Sequence, residues 1–210
     1  MSMLKIKKLP LLVGSILGYL AILLTFSGSV TSAYGQEVVR VIPALGKGPY
    51  EIIMFSDYLC PPCRRIDLKT EPLLKELLAS GKLKITFVDI PFSAVTPMYA
   101  KYYLYSVNAG ADEHGILHIR RVLFDAAQGK NIKMEDDLIG YLKEQKISWK
   151  AMNEKSIFPL LSAITKEHKI DTTPTCVIKY SAMDVKKFVG TDEIWDGLTK
   201  FKAHLATVKK

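Results

Sequence analysis

Phe55-Ser56-Asp57-Tyr58-Leu59-Cys60-Pro61-Pro62-Cys63 is the stretch on which the fold turns. It joins two kinds of chain. Before the cysteines, Tyr50–Ser56 (Tyr-Glu-Ile-Ile-Met-Phe-Ser) is an apolar run of strand length. After them, apolar residues recur at helical spacing, at Ile66, Leu68, Leu73, Leu74, Leu77 and Leu78, until Gly81. Leu83–Ile90 then alternates as a strand does. Residues 50–90 therefore read as strand–helix–strand, with two cysteines at i and i+3 opening the helix.

Such a pair has three readings: half of a zinc site, an inert structural disulfide, or a redox couple. A structural zinc site needs four ligands, and only Cys176 and four scattered histidines remain to complete one. The position at the helix start favours the redox couple. Pro61 and Pro62 suit a first turn, where a missing N–H is no loss and a fixed φ is an advantage. Cys60 then faces unpaired N–H groups and the positive end of the helix dipole, a setting that stabilises a thiolate. Arg64 and Arg65 lie within one turn and add positive charge. Cys63, one turn in, is more shielded and suits the resolving thiol.

Upstream, Met1–Lys8 carries Lys5, Lys7 and Lys8, and an apolar run continues from Leu9 to Val30. This charged-then-apolar order is that of an export signal. Thr31-Ser32-Ala33 and Ala33-Tyr34-Gly35 are two small-residue cleavage signatures. The alternative is an uncleaved N-terminal membrane anchor, since a run of this length spans a bilayer core of ~30 Å. Either way residues 1–35 are set apart, and the rest is expected outside the cytoplasm, in a bacterial periplasm or cell envelope.

Glu37–Pro43 reads as a short strand and Gly46-Lys47-Gly48-Pro49 as a turn. Downstream of residue 92, four apolar stripes at helical spacing fill 93–168. The first is Tyr99, Tyr102, Tyr103, Leu104 and Val107; the second runs from Ile116 through Ala126 and Ala127 to Gly129; the third is Leu138–Leu142; the fourth starts near Ser156–Pro159. Thr175–Tyr180 and Val185–Val189 flank Ser181–Asp184 as a hairpin, and Ile194–Leu205 is a final amphipathic helix with Asp192 as its cap. The chain of 210 residues is 49% apolar and 24% charged, which excludes a disordered, collagen-like or polytopic membrane protein. Three cysteines exclude a disulfide-stapled miniprotein. The formal net charge is +8, of which +5 lies beyond residue 35, too small an excess to argue for nucleic acid.

A second segment completes the pattern: Ile170-Asp171-Thr172-Thr173-Pro174-Thr175-Cys176-Val177-Ile178, with a proline entering a strand. Together the two segments resemble the thioredoxin superfamily, and within it the DsbA-like (BdbD-like) extracytoplasmic thiol:disulfide oxidoreductases, over residues 37–207. The resemblance implies an α/β thioredoxin fold with an inserted all-helical domain. Its parts are 36–92 with the CxxC, the insertion 93–168, and 169–210 with the proline loop. It also implies Cys60 as nucleophile, Cys63 as resolving cysteine, and Pro174 as a cis proline that with Thr173 meets the substrate. Pro61, Pro62 and Arg64 support the site. No cofactor and no metal are implied. The implied partners are thiol-containing substrate proteins and a membrane redox partner.

Three departures from the family pattern stand out. Met54 stands where many relatives carry a buried acid that moves the resolving thiol's proton. Pro-Pro between the cysteines lacks the histidine common in strongly oxidising members. Cys176 stands where relatives have an apolar residue. The expected activity is disulfide formation in envelope proteins. Its rivals are the same fold run as a reductase, as in cytochrome maturation, and a metal-binding envelope protein using Cys60, Cys63 and Cys176. Of the remaining candidates, Cys176 is expected in the core as a small hydrophobe. His114 and His118, at i and i+4, lack the glutamate of a protease helix and are expected in solvent, as is the Lys/Arg excess near Lys186-Lys187 and Lys200–Lys210. Tyr99–Tyr105 is expected to pack between the two parts of the fold.

Overall fold

The computed structural model describes residues 42–153 and 157–207. The expected export segment, most of the strand Glu37–Pro43 and the last three residues lie outside the described residues. Ile42 and Pro43 are not in a strand; the first described strand is β1, Ala44–Leu45. The central strand β2, Tyr50–Ser56, is buried along nearly its whole length. It runs parallel to β3, Leu83–Asp89, with Ile52 opposite Ile85 and Ser56 opposite Asp89. Between them lies α1, Pro61–Ala79, the long crossover that parallel strands require. The entry to β2 is tight: the N–H of Gly48 donates to Leu83 O at 3.3 Å. A Cβ on Gly48 would fall 1.8 Å from the Lys82 carbonyl carbon, so only glycine fits.

The other flank of β2 pairs antiparallel with β4, Thr175–Lys179, which pairs antiparallel with the edge strand β5, Val185–Val189. The sheet order is β1-β3-β2-β4-β5. Ile52, Phe55, Leu83, Ile85, Val88 and Ile178 are fully buried at its centre. The last helix, α6, Gly190–Thr207, packs on α1, β4 and β5. Asp192 does not cap it. The helix already starts at Gly190, with φ +81°, so Asp192 lies in the first turn, and the Val189 N–H is taken by Glu193 Oε2 at 3.0 Å.

Helices fill the chain between β3 and β4: α2 (Thr96–Asn108), α3 (Glu113–Phe124), α4 (Glu135–Glu144) and α5 (Ile157–Glu167). Tyr99, Tyr102, Tyr103 and Tyr105 of α2 are buried in the core. The α-helical stripe expected to continue through Ala126 and Ala127 changes form at Asp125. Residues Asp125–Gly129 make a π turn, with the Lys130 N–H on Asp125 O at 2.8 Å. Insertions of this kind inside helices are frequent at functional sites. Pro72 stands within α1 on its exposed side; the Thr70 hydroxyl donates to Ile66 O at 2.7 Å beside it, and the helix runs on to Ala79. Among the described residues no helix is long and apolar enough to cross a membrane.

The least expected part of the core is ionic. Arg120 of α3 is 1% exposed. Its Nε donates to Asp67 Oδ1 of α1 at 2.9 Å, Nη1 to Asp89 Oδ1 of β3 at 3.1 Å, and Nη2 to Ser56 Oγ of β2 at 2.9 Å. The guanidinium lies 4.0 Å over the Phe87 ring, with Tyr58, Tyr103 and Phe124 around it at 5.5–5.7 Å. Burial alone would lower the pKa of Arg120; Asp67, Tyr58 and Asp89 outweigh it and hold the charge in place. One side chain thus ties the helical segment to α1, β2 and β3 together.

Candidate active site

Cys60 is the N-cap of α1, with extended φ −86° and ψ 111°, and Pro61 and Pro62 fill the first two helical positions. Its N–H donates to Asp57 O at 3.0 Å, closing a tight turn over residues 57–60. Its carbonyl accepts the first helical bonds, from the N–H of Cys63 at 3.0 Å and of Arg64 at 3.3 Å. Cys60 is half-buried and Cys63 is fully buried. Both are free thiols, and Cys63 Sγ–H donates to Cys60 Sγ at 2.7 Å. Burial pushes the Cys63 thiol far up, and its hydrogen bond to Cys60 adds to this.

The Thr173–Pro174 peptide is cis and stands beside the pair. Thr173 O accepts from Cys60 Sγ at 3.5 Å, across 113 residues of sequence. Two bonds hold the loop. The Gly190 N–H donates to Pro174 O at 2.9 Å, and the Thr175 hydroxyl donates to Thr172 O at 2.8 Å. The fold thus brings together Cys60, Cys63, Pro61, Pro62, Thr173 and Pro174. Arg64 is directed elsewhere: its Nη2 pairs with Asp125 Oδ1 at 3.0 Å, so its charge is shared with the π turn. Arg65 is exposed.

Two residues that sequence reasoning passed over shape the loop. The buried Asp57 accepts three bonds: Oδ1 from the Leu59 N–H and from the Thr96 hydroxyl, both at 2.7 Å, and Oδ2 from the Phe92 N–H at 3.1 Å. It locks the cysteine turn to the β3–α2 connection. An aspartate three residues before a turn's end is the available signal, an Asx turn. The other is Gln128 of the π turn, whose Nε2 donates to Tyr58 O at 2.8 Å and Cys60 O at 3.0 Å. Nothing in its local sequence announces this.

Two of the departures from the family pattern turn out to be neighbours. Met54 and Cys176 are cross-strand partners of β2 and β4, and both are buried. An apolar pair therefore occupies the place of a buried acid and its surroundings. Burial pushes the Cys176 thiol well up, so it is inert at neutral pH. Cys176→Ala is expected to leave thiol exchange unchanged at a stability cost of about 1 kcal/mol. Iodoacetamide on the native protein, mapped by mass spectrometry, is expected to label Cys60 and spare Cys176. Labelling of Cys176 ahead of Cys60 would contradict this.

His114 is exposed, and His118 Nδ1 lies 2.9 Å from Arg121 Nη2. Lys187 Nζ donates to His168 O at 2.6 Å, and Lys202 pairs with Glu76 at 2.7 Å. Among the described residues no group of three or more His, Cys, Asp or Glu side chains is placed to hold a metal ion.

Residues 46–188 match the thioredoxin family model, a span that takes in both the cysteine pair and the cis-proline loop. Over 52 residues the chain is 38% identical to a probable disulfide bond formation protein D of Bacillus cereus. That match covers 23% of this chain and 24% of the relative, so it spans about a quarter of the relative's length. The structure is similar to Wolbachia pipientis alpha-DsbA1, with a TM-score of 0.60 at 17% identity over 81% of this chain and 99% of that one. It is also similar to the catalytic domain of Proteus mirabilis ScsC, with a TM-score of 0.60 at 19% identity over 80% and 90%. Sheet order, cysteine turn, cis-proline loop and family match agree: the chain belongs to the thioredoxin family, and its fold, a thioredoxin fold carrying a helical insertion, is similar to that of the DsbA and ScsC structures.

Proposed function

We propose that this protein is an exported thiol:disulfide oxidoreductase that forms disulfides in envelope proteins through Cys60 and Cys63. The observation that carries the reading is the meeting of Cys60, at a helix N-terminus, with Thr173 O beside Pro174. The name of the Bacillus relative supports disulfide formation as the direction. The lysine-then-apolar N-terminus supports export, with residues 1–35 removed or kept as an anchor.

Access assigns the roles of the two sulfurs. Only Cys60 is exposed enough for attack, since Cys63 is fully buried. Starting from the disulfide, a substrate thiolate attacks Cys60 Sγ. The Cys60–Cys63 bond breaks, and Cys63 leaves and takes up a proton. The substrate is then joined to Cys60 by a mixed disulfide while its chain lies along Thr173-Pro174 as an added strand. A second substrate thiolate attacks the substrate sulfur and expels Cys60. Two electrons have passed from substrate to protein, and a membrane redox partner removes them from the dithiol. The helix N-terminus favours Cys60 as leaving thiolate in this last step.

The raised Cys63 thiol has a consequence for the reverse step, in which Cys63 attacks the mixed disulfide. Only its thiolate reacts, so the rate follows the ionised fraction. With Cys60 joined to glutathione, burial still holds the Cys63 thiol up, and release of glutathione by Cys63 is expected to rise steadily with pH through neutrality. Stopped-flow release kinetics check this; a plateau near neutrality would contradict it.

The equilibrium of the pair with glutathione tests the direction of electron flow. A reduction potential near about −120 mV, that of a strong oxidant, supports disulfide formation. A value near about −270 mV would overturn it in favour of a reductase fed by an electron donor.

A further inference from the structure

The π turn after α3 does more than end a helix. It touches the cysteine loop at three points on two of its side chains. Asp125 Oδ1 takes Arg64 Nη2 at 3.0 Å, and its Oδ2 takes the Tyr141 hydroxyl at 2.7 Å. Gln128 Nε2 donates to Tyr58 O and to Cys60 O. A Cβ on Gly129 would come within 2.3 Å of Asp125 Oδ1, so glycine leaves room for the carboxylate to fold over its own turn. Behind the loop, the Tyr58 ring is held 4.8 Å from the Phe124 ring, the last residue of α3.

The two carbonyls that Gln128 binds belong to the cysteine turn, one of them on Cys60 itself, and their partial negative charge adds to that of Thr173 O, 3.5 Å from the Cys60 sulfur. An amide donor on both offsets that charge. Beside a half-buried sulfur, such a bond acts electrostatically as well as holding the loop. A thiolate at Cys60 gains from the donor, whereas the neutral disulfide gains less. The donor therefore stabilises the reduced form relative to the oxidised one.

We infer that Gln128 is a positioning residue of the redox pair, one that sets how oxidising Cys60–Cys63 is through its bonds to Tyr58 O and Cys60 O. The inference rests on the exchange reading above. It assigns to the inserted helices a role in redox tuning, separate from packing.

The test is the glutathione equilibrium of full-length protein and three variants. In it, two glutathione thiols give two electrons and two protons to the Cys60–Cys63 disulfide, yielding the dithiol and one glutathione disulfide. Gln128 is half-exposed, so replacements at it are compatible with folding, and thermal melts report any loss. Gln128→Ala removes the donor and is expected to favour the oxidised form about three- to tenfold. Gln128→Glu adds a negative charge at the carbonyls and is expected to shift the balance further the same way, at least about tenfold, or about 30 mV. Gln128→Lys keeps a donor, adds positive charge, and is expected to shift it the opposite way. A packing role alone would lower melting temperatures without this ordering. The assignment is overturned if the wild type titrates reversibly while all three variants lie within twofold of it, or if their order does not follow the charge. If the wild type forms no reversible Cys60–Cys63 disulfide, the exchange reading itself falls and this assignment falls with it.

Discussion

Cys60→Ser is expected to bring thiol–disulfide exchange down to the uncatalysed rate, in both the oxidising and the reducing direction. The argument is one of access and chemistry together. A serine hydroxyl is neither a thiolate nucleophile nor a sulfur that can be attacked. Cys63 cannot substitute, because it is fully buried and its thiol is pushed far up by that burial. Cys176 is equally buried, opposite Met54 in the sheet. Cys63→Ser is expected to be milder in one respect: Cys60 still accepts a substrate sulfur but no longer releases it intramolecularly. Turnover of a fluorescent dithiol peptide by the two variants and the wild type measures the difference. Residual exchange in Cys60→Ser above that of buffer would mean that another sulfur does the work.

Arg120→Met is expected to destabilise the protein by about 3–5 kcal/mol, since removing one partner of a buried ionic cluster leaves the others uncompensated. Here two carboxylates, of Asp67 and Asp89, lose their cation, and Ser56 Oγ loses a donor. For a body of this size the melting temperature is expected to fall by roughly 10 °C. Two further results separate this cause from lost packing. Adding Asp89→Asn to the variant is expected to recover part of the loss, as coupled residues do. The penalty is also expected to shrink as pH falls from 7 to 5. Burial already raises the Asp67 carboxyl and Arg120 opposes that rise, so without Arg120 it rises further, the folded variant binds more protons over that range, and it gains stability on acidification. A penalty independent of pH would assign it to the lost side-chain volume instead.

The effect on function follows from position. Tyr58 donates to Asp89 Oδ2 at 3.1 Å and sits two residues before Cys60. The ionic cluster is therefore continuous with the loop that presents the nucleophile.

What could be read from the sequence was whatever depends on neighbours in the chain. Ile52–Phe55 is an unbroken apolar run because the strand is covered on both faces, and Tyr50–Ser56 is the strand as read. The prolines after Cys60 start α1 for the reason that makes them poor helix residues elsewhere. Pro159 lies near the start of α5 as described, Ile157–Glu167. Contacts made across long separations carried no such signal. Arg120 sits in a stripe of Ile116, Ile119, Val122 and Leu123, where a charged residue reads as the solvent edge. Its partners are 31 to 64 residues away. Gln128 binds carbonyls 68 and 70 residues back, from a π turn that helical periodicity does not distinguish from an α-helix. Asp192 failed as a cap because Gly190, with its positive φ, lets the helix start two residues earlier. Arg64 is placed beside the cysteines as expected, but Asp125, 61 residues on, claims its charge.

The central claim, that Cys60 is the sulfur that meets the substrate, is tested most directly by trapping. Cys63→Ala removes the thiol that would release a mixed disulfide. The variant is mixed with a peptide carrying an activated disulfide, and the adduct is mapped by proteolysis and mass spectrometry. The account predicts one peptide per protein, joined to Cys60. An adduct on Cys176, or none on Cys60, would contradict it.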